Sequence, residues 1–365
     1  MSRAALAVLL LVIPAAGAAQ APVYPRRVVA GGIEARGYSF ANGFASASVS
    51  QVSTPIAAVV PIGARLAFDI GTAYAYTRRE APDGTEGEIS GFTDTQLRAS
   101  YVFGRDQVVA TLVANLPTGV QTEANLPALQ ASGAISSSFL LFPVNSYTNG
   151  ASLTGGLAFA FQAGSWNLGL AAGARMSGEY EPYAGTDVTY QPGLEGRLRL
   201  GADRLVGSSR LSFGLTLSDF GTDEFTNGSY RPGNRLVGEA TLLAPLGGST
   251  LTAYVWDYYR GNSDDDSNTL GDYGNAENLL DAGVTATSPL SRSLSLLSLV
   301  EVRSWAPDGG SGFLAGAGLG LRLTTGEHFS LSAGGRLDTG SIASPSGADY
   351  DLTGWGATGF LRYEW

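Results

Sequence analysis

Over residues 351–365 the chain changes face at every step. Trp365, Tyr363, Leu361, Gly359 and Ala357 fall on one side, and Glu364, Arg362, Phe360, Thr358 and Gly356 on the other. A period of two belongs to a strand, with one face suited to hydrocarbon and the other to water. The same pattern recurs where Leu211, Phe213, Leu215 and Leu217 alternate with Ser212, Gly214, Thr216 and Ser218, and where Leu194, Leu198 and Leu200 alternate with Glu195, Arg197 and Arg199. Many of the 50 glycines stand at alternate positions in apolar runs such as 312–323, which a helix tolerates poorly. The chain is therefore expected to be all-β.

The connections sort into two kinds. Short ones fall at 61–64, 104–106, 164–165, 203–208, 246–248, 290–292 and 326–327, and long ones at 80–90, 117–150, 179–187, 221–234, 261–278, 306–311 and 340–351. They alternate strictly. A sandwich has no reason to segregate its loops, whereas a membrane barrel has short turns at its periplasmic end and long loops outside. The expected fold is a transmembrane antiparallel up-and-down β-barrel over 33–365. Its first hairpin turns at Asn42-Gly43, which makes 16 strands, or 14 if that irregular opening is misread.

Composition narrows the setting. Only 15% of residues are charged, against about a quarter in soluble domains. With no Cys there is no disulfide, thiolate nucleophile or thiolate metal site. Net charge is −10 and the basic residues are all Arg, with no basic stripe for nucleic acid. Arg3, the apolar stretch 4–13 and Ala16-Gly17-Ala18 read as a signal peptide over 1–18, followed by a periplasmic lead-in over 19–32. The terminal Trp365, with Tyr363 and Leu361 before it, resembles the C-terminal signature by which outer-membrane barrels are recognised for insertion. The resemblance implies residence in the cell outer membrane, with its lipid and the barrel-insertion machinery as partners.

Alternation puts a set of charges on the inner face: Arg65, Asp69, Arg98, Arg175, Glu195, Arg197, Arg199, Glu239, Asp281, Glu301, Arg303, Arg322, Arg336, Asp338 and Arg362. A charge facing lipid at mid-bilayer costs about 2 to 4 kcal/mol, so this placement holds whether the charges tune a water-filled lumen or fill a narrow barrel with ion pairs. The longest connection carries an apolar run over 135–144, with Ile135, Phe139, Leu140, Leu141 and Phe142. It is expected to fold into the mouth, the alternative being a simple extension of two strands. Asp264, Asp265, Asp266 and Asp272 miss the calcium-loop spacing, with Thr269 where that loop needs Gly, and read as a solvated loop tip. The single histidine, His328, shares strand parity with Ser330 and is expected to point into the lumen; barrel phospholipases use a His-x-Ser pair, yet no partner for it is evident here. No enzyme activity, cofactor or metal is expected.

Gly91-Phe92-Thr93-Asp94-Thr95-Gln96-Leu97-Arg98, then Tyr101-Val102-Phe103 and a strand closing on Leu116-Pro117-Thr118-Gly119, resembles the family of outer-membrane transporters assigned to the MetA pathway of phenol degradation, with Thr93 where that family usually has Gly. The resemblance implies a barrel that admits small aromatic or apolar compounds and has no catalytic residues. The chain is thus expected to be a channel or uptake protein for passive passage of small-molecule solutes. A non-conducting barrel with a structural or surface-interaction role is the other reading.

Overall fold

The computed structural model describes residues 26–41, 46–104, 107–226, 228–264, 275–343 and 348–365. Sixteen antiparallel strands close into one barrel: β1 Val28–Phe40, β2 Ser48–Ile62, β3 Leu66–Glu80, β4 in two segments Glu86–Phe92 and Thr95–Phe103, β5 Val108–Leu116, β6 Ser152–Ala163, β7 Trp166–Ser177, β8 Glu195–Val206, β9 Ser209–Phe220, β10 Arg235–Leu246, β11 Ser249–Arg260, β12 Glu277–Pro289, β13 Leu294–Pro307, β14 Ser311–Thr325, β15 Phe329–Ala343 and β16 Asp349–Glu364. The two segments of β4 both pair with β3, so they form one strand interrupted at Thr93-Asp94. Closure comes from β1 against β16, in register from Val28 with Glu364 to Phe40 with Leu352, and from paired backbone bonds of 3.1 Å between Arg27 and Trp365.

Pleat alternation carries through to exposure. Leu198, Leu200, Phe213, Leu215 and Leu217 point outward at 44–48% exposure, while Glu195 and Ser218 on the opposite parity are buried. A continuous exposed apolar belt on a closed barrel is the surface hydrocarbon requires, and closure satisfies every ladder bond without an open edge. Leu361, Tyr363 and Trp365 lie on this outward face, with the Tyr363 and Trp365 rings stacked at 5.7 Å.

The barrel wall is uneven in height. Strands β12 to β16 and β1 to β3 run 13 to 16 residues. Strands β6 to β11 each have 12. About 10 residues span a bilayer, so the taller half stands clear of it. Here the structure shortens three connections read from the sequence as long: β4 begins at Glu86, only Asp308 to Gly310 separate β13 from β14, and β15 continues to Ala343. Above the lipid both faces of a strand meet water, so the alternation that marks a strand in sequence disappears while its ladder continues. At the other end β1 begins at Val28 rather than Ile33, its first alternation hidden by Gly31-Gly32. The signal peptide over 1–18 and the Asn42-Gly43 turn lie outside the described residues.

Helix α1, Leu126–Ser136, sits on the tall half. Asn125 caps it, its side chain accepting from Ala128 N at 2.9 Å, a contact worth about 1 kcal/mol. Ala128, Ala131 and Ile135, at helical spacing, form its buried face. Its start rests on the upper part of β4 at Gly87, where a Cβ would come within 2.1 Å of Pro127 O.

Candidate functional site

Residues 137–151, which follow α1, lie along the inner wall of the tall half. The Arg303 guanidinium donates to Phe139 O at 2.6 Å, and Phe139 stacks on Trp305 at 5.6 Å. Tyr38 donates its hydroxyl to Leu140 O at 2.8 Å, and Arg36 donates to Leu141 O. The Gln51 amide acts like a strand partner: its nitrogen donates to Val144 O at 2.7 Å and its oxygen accepts from Val144 N at 2.8 Å. Tyr147 donates to Ile89 O at 2.9 Å. Phe139, Leu140, Phe142 and Val144 are buried with Ile135, and Leu141, half-buried, has φ 51°, a left-handed conformation that costs a branched side chain about 1 to 2 kcal/mol.

Asp94 ties down the far end of this segment. The break in β4 turns its carboxylate inward, where it accepts from Asn149 N at 2.6 Å, Gly119 N at 2.9 Å and Asn115 Nδ2 at 2.9 Å. Both ends of the long connection are thereby fixed to one charged acceptor, and such bonds are the stronger kind. Asp94 belongs to the stretch that carries the family resemblance, although nothing in its spacing marks it as an anchor.

The charges beneath the segment are neutralised in a chain. Arg303, 1% exposed, bonds Glu301 at 2.6 Å and Asp281 at 3.3 Å; Arg336 reaches Glu301 at 3.1 Å and Asp338 at 2.5 Å; Tyr254 donates to Glu301 at 2.9 Å. Room for Arg336 comes from Gly316, where a Cβ would sit 2.6 Å from its guanidinium and 2.2 Å from the Asp338 carboxylate. Five of the inner-face charges read from the sequence thus form a single network.

The lower half of the wall differs. At its outer end a cavity of about 390 Å³ is lined by Arg175, Arg235, Arg260, Glu195 and Asp223 together with Tyr180, Tyr190, Tyr230 and Phe220. Its roof is a small sheet, Tyr190–Gln191 with Asp223–Phe225 and Gly228–Tyr230. Tyr190 stacks on Phe225 at 4.5 Å, and Phe225 on Tyr230 at 5.6 Å. Burial pushes the Tyr180 phenol up to about 12, and burial also raises Tyr190 and Tyr230, so all three stay neutral hydrogen-bond donors at ordinary pH. Arg235 and Arg260 stand directly opposite each other across β10 and β11. The Arg235 guanidinium also lies over Phe220 at 4.6 Å. Neither was singled out from the sequence, though Arg235 has the parity of Glu239.

The remaining expected residues fall as follows. Asp69 pairs with Arg98, Glu195 with Arg197 and Glu239 with Arg199. Arg322 and Arg362 line a second cavity of about 220 Å³ at the periplasmic end, with Ser330. Arg65 is not on the inner face of a strand: it is exposed in the turn between β2 and β3, which Gly63 enters at φ 66°. His328 likewise sits exposed in a turn, its ring 6.3 Å from outward-facing Tyr363, so strand parity does not apply and it does not point into the lumen. Of the acidic loop tip only Asp264 is described, bridging through its backbone to Arg231 at 2.8 Å.

No protein-family model matches the chain, and no curated protein matches it significantly. Among solved structures it is similar to a bacterial polysaccharide outer membrane secretin, at 11% identity over 92% of this chain and 98% of that one, with TM-score 0.48. It is similar also to the outer membrane channel DcaP of Acinetobacter baumannii, at 9% identity over 95% of this chain and 100% of that one, with TM-score 0.43. An outer membrane channel of Pseudomonas putida F1 shows 12% identity over 95% of this chain and 100% of that one, with TM-score 0.42. Likenesses this distant carry nothing about cargo, and the barrel stands on its own strand register.

Proposed function

We propose that this outer-membrane-type barrel is a passive channel for small solutes. The observation that carries the reading is the strand number. Sixteen strands spaced about 4.8 Å apart and tilted about 40° enclose a backbone radius of about 16 Å, wider than facing side chains can fill. Among the described residues, 137–151 lie along one flank of that space, and charged and aromatic side chains line a cavity on the other. In this reading the inward arginines and carboxylates set the selectivity, and the 135–144 run narrows the mouth. The resemblance to the phenol-degradation transporters supports small aromatic or apolar compounds as cargo. Surrounding lipid and the barrel-insertion machinery are its other partners, and no catalytic role is proposed.

The test is conductance of the refolded chain in a planar bilayer. Wild type should conduct, and deleting residues 135–144 should raise the single-channel conductance. Absence of conductance in both would overturn the channel in favour of a closed barrel with a structural or surface role.

A further inference from the structure

In a chain of net charge −10, one inner wall runs against the average. Arg175 and Arg197 with Arg199 turn inward from β7 and β8, and Arg210 and Arg235 from β9 and β10, against three inward carboxylates, Glu195, Asp203 and Glu239. Arg260 on β11 does not add to this excess, because Glu277 at 3.7 Å and the Asn275 carbonyl at 3.3 Å match it inside the fold. The ion pairs that do form on this wall are lopsided. Arg197 stands over Glu195, Arg199 over Glu239 and Arg210 over Asp203, and each time the arginine is the member shown to the lumen: 28% exposed against 10%, 48% against 35%, and 44% against 22%. Glu239 lies so close across Gly214 that a Cβ there would clash with its carboxylate. Arg197 and Arg235 are both register partners of Ser218. Asp223, the acid in the roof above them, is buried and accepts from the Tyr190 hydroxyl and from Gly193 N at 2.7 Å.

The infolded flank offers no matching field. Arg303 and Arg336 are outnumbered there by Asp281, Glu301 and Asp338, and none of these five side chains is more than 13% exposed. Residues 137–151, which lie along that wall, carry no charge. Toward the mouth, the charge in contact with water is thus set largely by the low wall. A cleft lined by one sign of charge and backed by low-dielectric walls focuses the field and raises the local concentration of the opposite ion.

We propose that the inner face of β7 to β10 is an anion path, which gathers small anions such as chloride and simple carboxylates in the open half of the lumen and makes the channel anion-selective. The selectivity rests on the channel reading, whereas the gathering of anions at the wall does not. An anion drawn to the mouth beside Arg175 and Arg235 meets Arg197 and Arg199 further down β8, and then Arg210 beside the periplasmic turn. Each of the last three keeps its own carboxylate, so no single stop holds the anion tightly. Conduction needs that: sites favourable enough to enter, and several and weak enough to leave.

Two measurements on the full refolded chain test this. In a planar bilayer under a potassium chloride gradient near about 0.1 M, the reversal potential should show chloride favoured over potassium by at least about threefold, and Arg199→Gln combined with Arg210→Gln should bring the ratio to about one. The preference should fade in molar salt, where the reach of a charge falls from about 10 to about 3 Å. Arg204→Gln is the control: it removes the same charge from the outward face, where Arg204 lies over the Trp166 ring at 5.8 Å, and should leave the ratio unchanged. In detergent micelles, where nothing has to pass, the emission that Trp256→Phe removes reports the wall itself, because Trp256 is the register partner of Glu239, on which Arg199 rests. Iodide should quench that emission about twofold more strongly in the wild type than in the Arg199→Gln, Arg210→Gln chain, while neutral acrylamide quenches both alike. Heat-modifiable gel mobility reports whether the variants have folded. A wild-type ratio near one or in favour of potassium would overturn the anion path, as would an equal effect of Arg204→Gln, or iodide quenching unmoved by the double substitution. A silent bilayer beside iodide quenching that depends on Arg199 and Arg210 would sink the channel alone.

Discussion

The two halves of the barrel mouth treat the same residue type in opposite ways. On the tall half Arg303 is sealed under the infolded segment and shares Asp281, Glu301 and a backbone carbonyl, with Arg336 continuing the chain to Asp338. On the low half Arg235 faces Arg260 beside an open cavity. Arg303 has its donors matched inside the fold, whereas the Arg235 Nε is buried without a hydrogen-bond partner and its guanidinium lies over Phe220. The wall heights follow the same division: long strands give the infolded segment a surface to lie on, and short ones leave the flank to its roof of loops.

The comparison breaks most visibly at Arg303. Arg303→Met should lower the stability of the folded barrel by about 3 to 5 kcal/mol, because it leaves Asp281 and Glu301 buried with one partner fewer. Arg235→Met should cost little or even stabilise, since it removes a like-charge contact. Thermal conversion from the folded to the unfolded gel band measures both, and equal losses would erase the distinction between the two walls.

A smaller effect is expected at Asp94. Asp94→Ala removes one carboxylate from three donors, and releasing the far end of the segment should cost about 1 to 3 kcal/mol. The loss is expected to be local: residues 137–148 should become open to protease in intact vesicles while the barrel keeps its heat-modifiable mobility. Protection as in wild type would mean that Tyr38, Gln51 and Arg303 hold the segment without it.

Leu141→Gly should act least and in the other direction. It relieves the left-handed backbone at φ 51° and gives up a half-buried side chain, so a gain of at most about 1 kcal/mol is expected for the seated segment, read as slower proteolysis there. A clear loss would show that the Leu141 side chain, rather than the neighbouring carbonyls, seats the segment.

How far the site could be read in advance depended on distance along the chain. The inward parity of Arg197 and Arg199 against Leu198 and Leu200 is a property of the pleat, visible in any short window. The meeting of Arg235 with Arg260 was within reach as well. The hairpin turns on Gly247-Gly248, both at positive φ, and Leu246 pairs with Ser249; counting outward from that turn places 235 against 260. Arg65 and His328 were misplaced because parity holds only inside a strand, and both stand in turns.

By itself, then, the sequence determined a closed barrel, its lipid face and which strands neighbour one another, because alternation and turn length are local and hydrocarbon tolerates no other arrangement. The infolding of the long connection was an expectation with an alternative; only the tertiary structure decided that it is held by β13, β1 and β2, and which charges it seals. Phe139 meets Arg303 across 164 positions of chain, and Arg27 meets Trp365 only when the last strand closes on the first. Such contacts depend on the register summed around the whole barrel and on the height of each wall, and no window of sequence contains either.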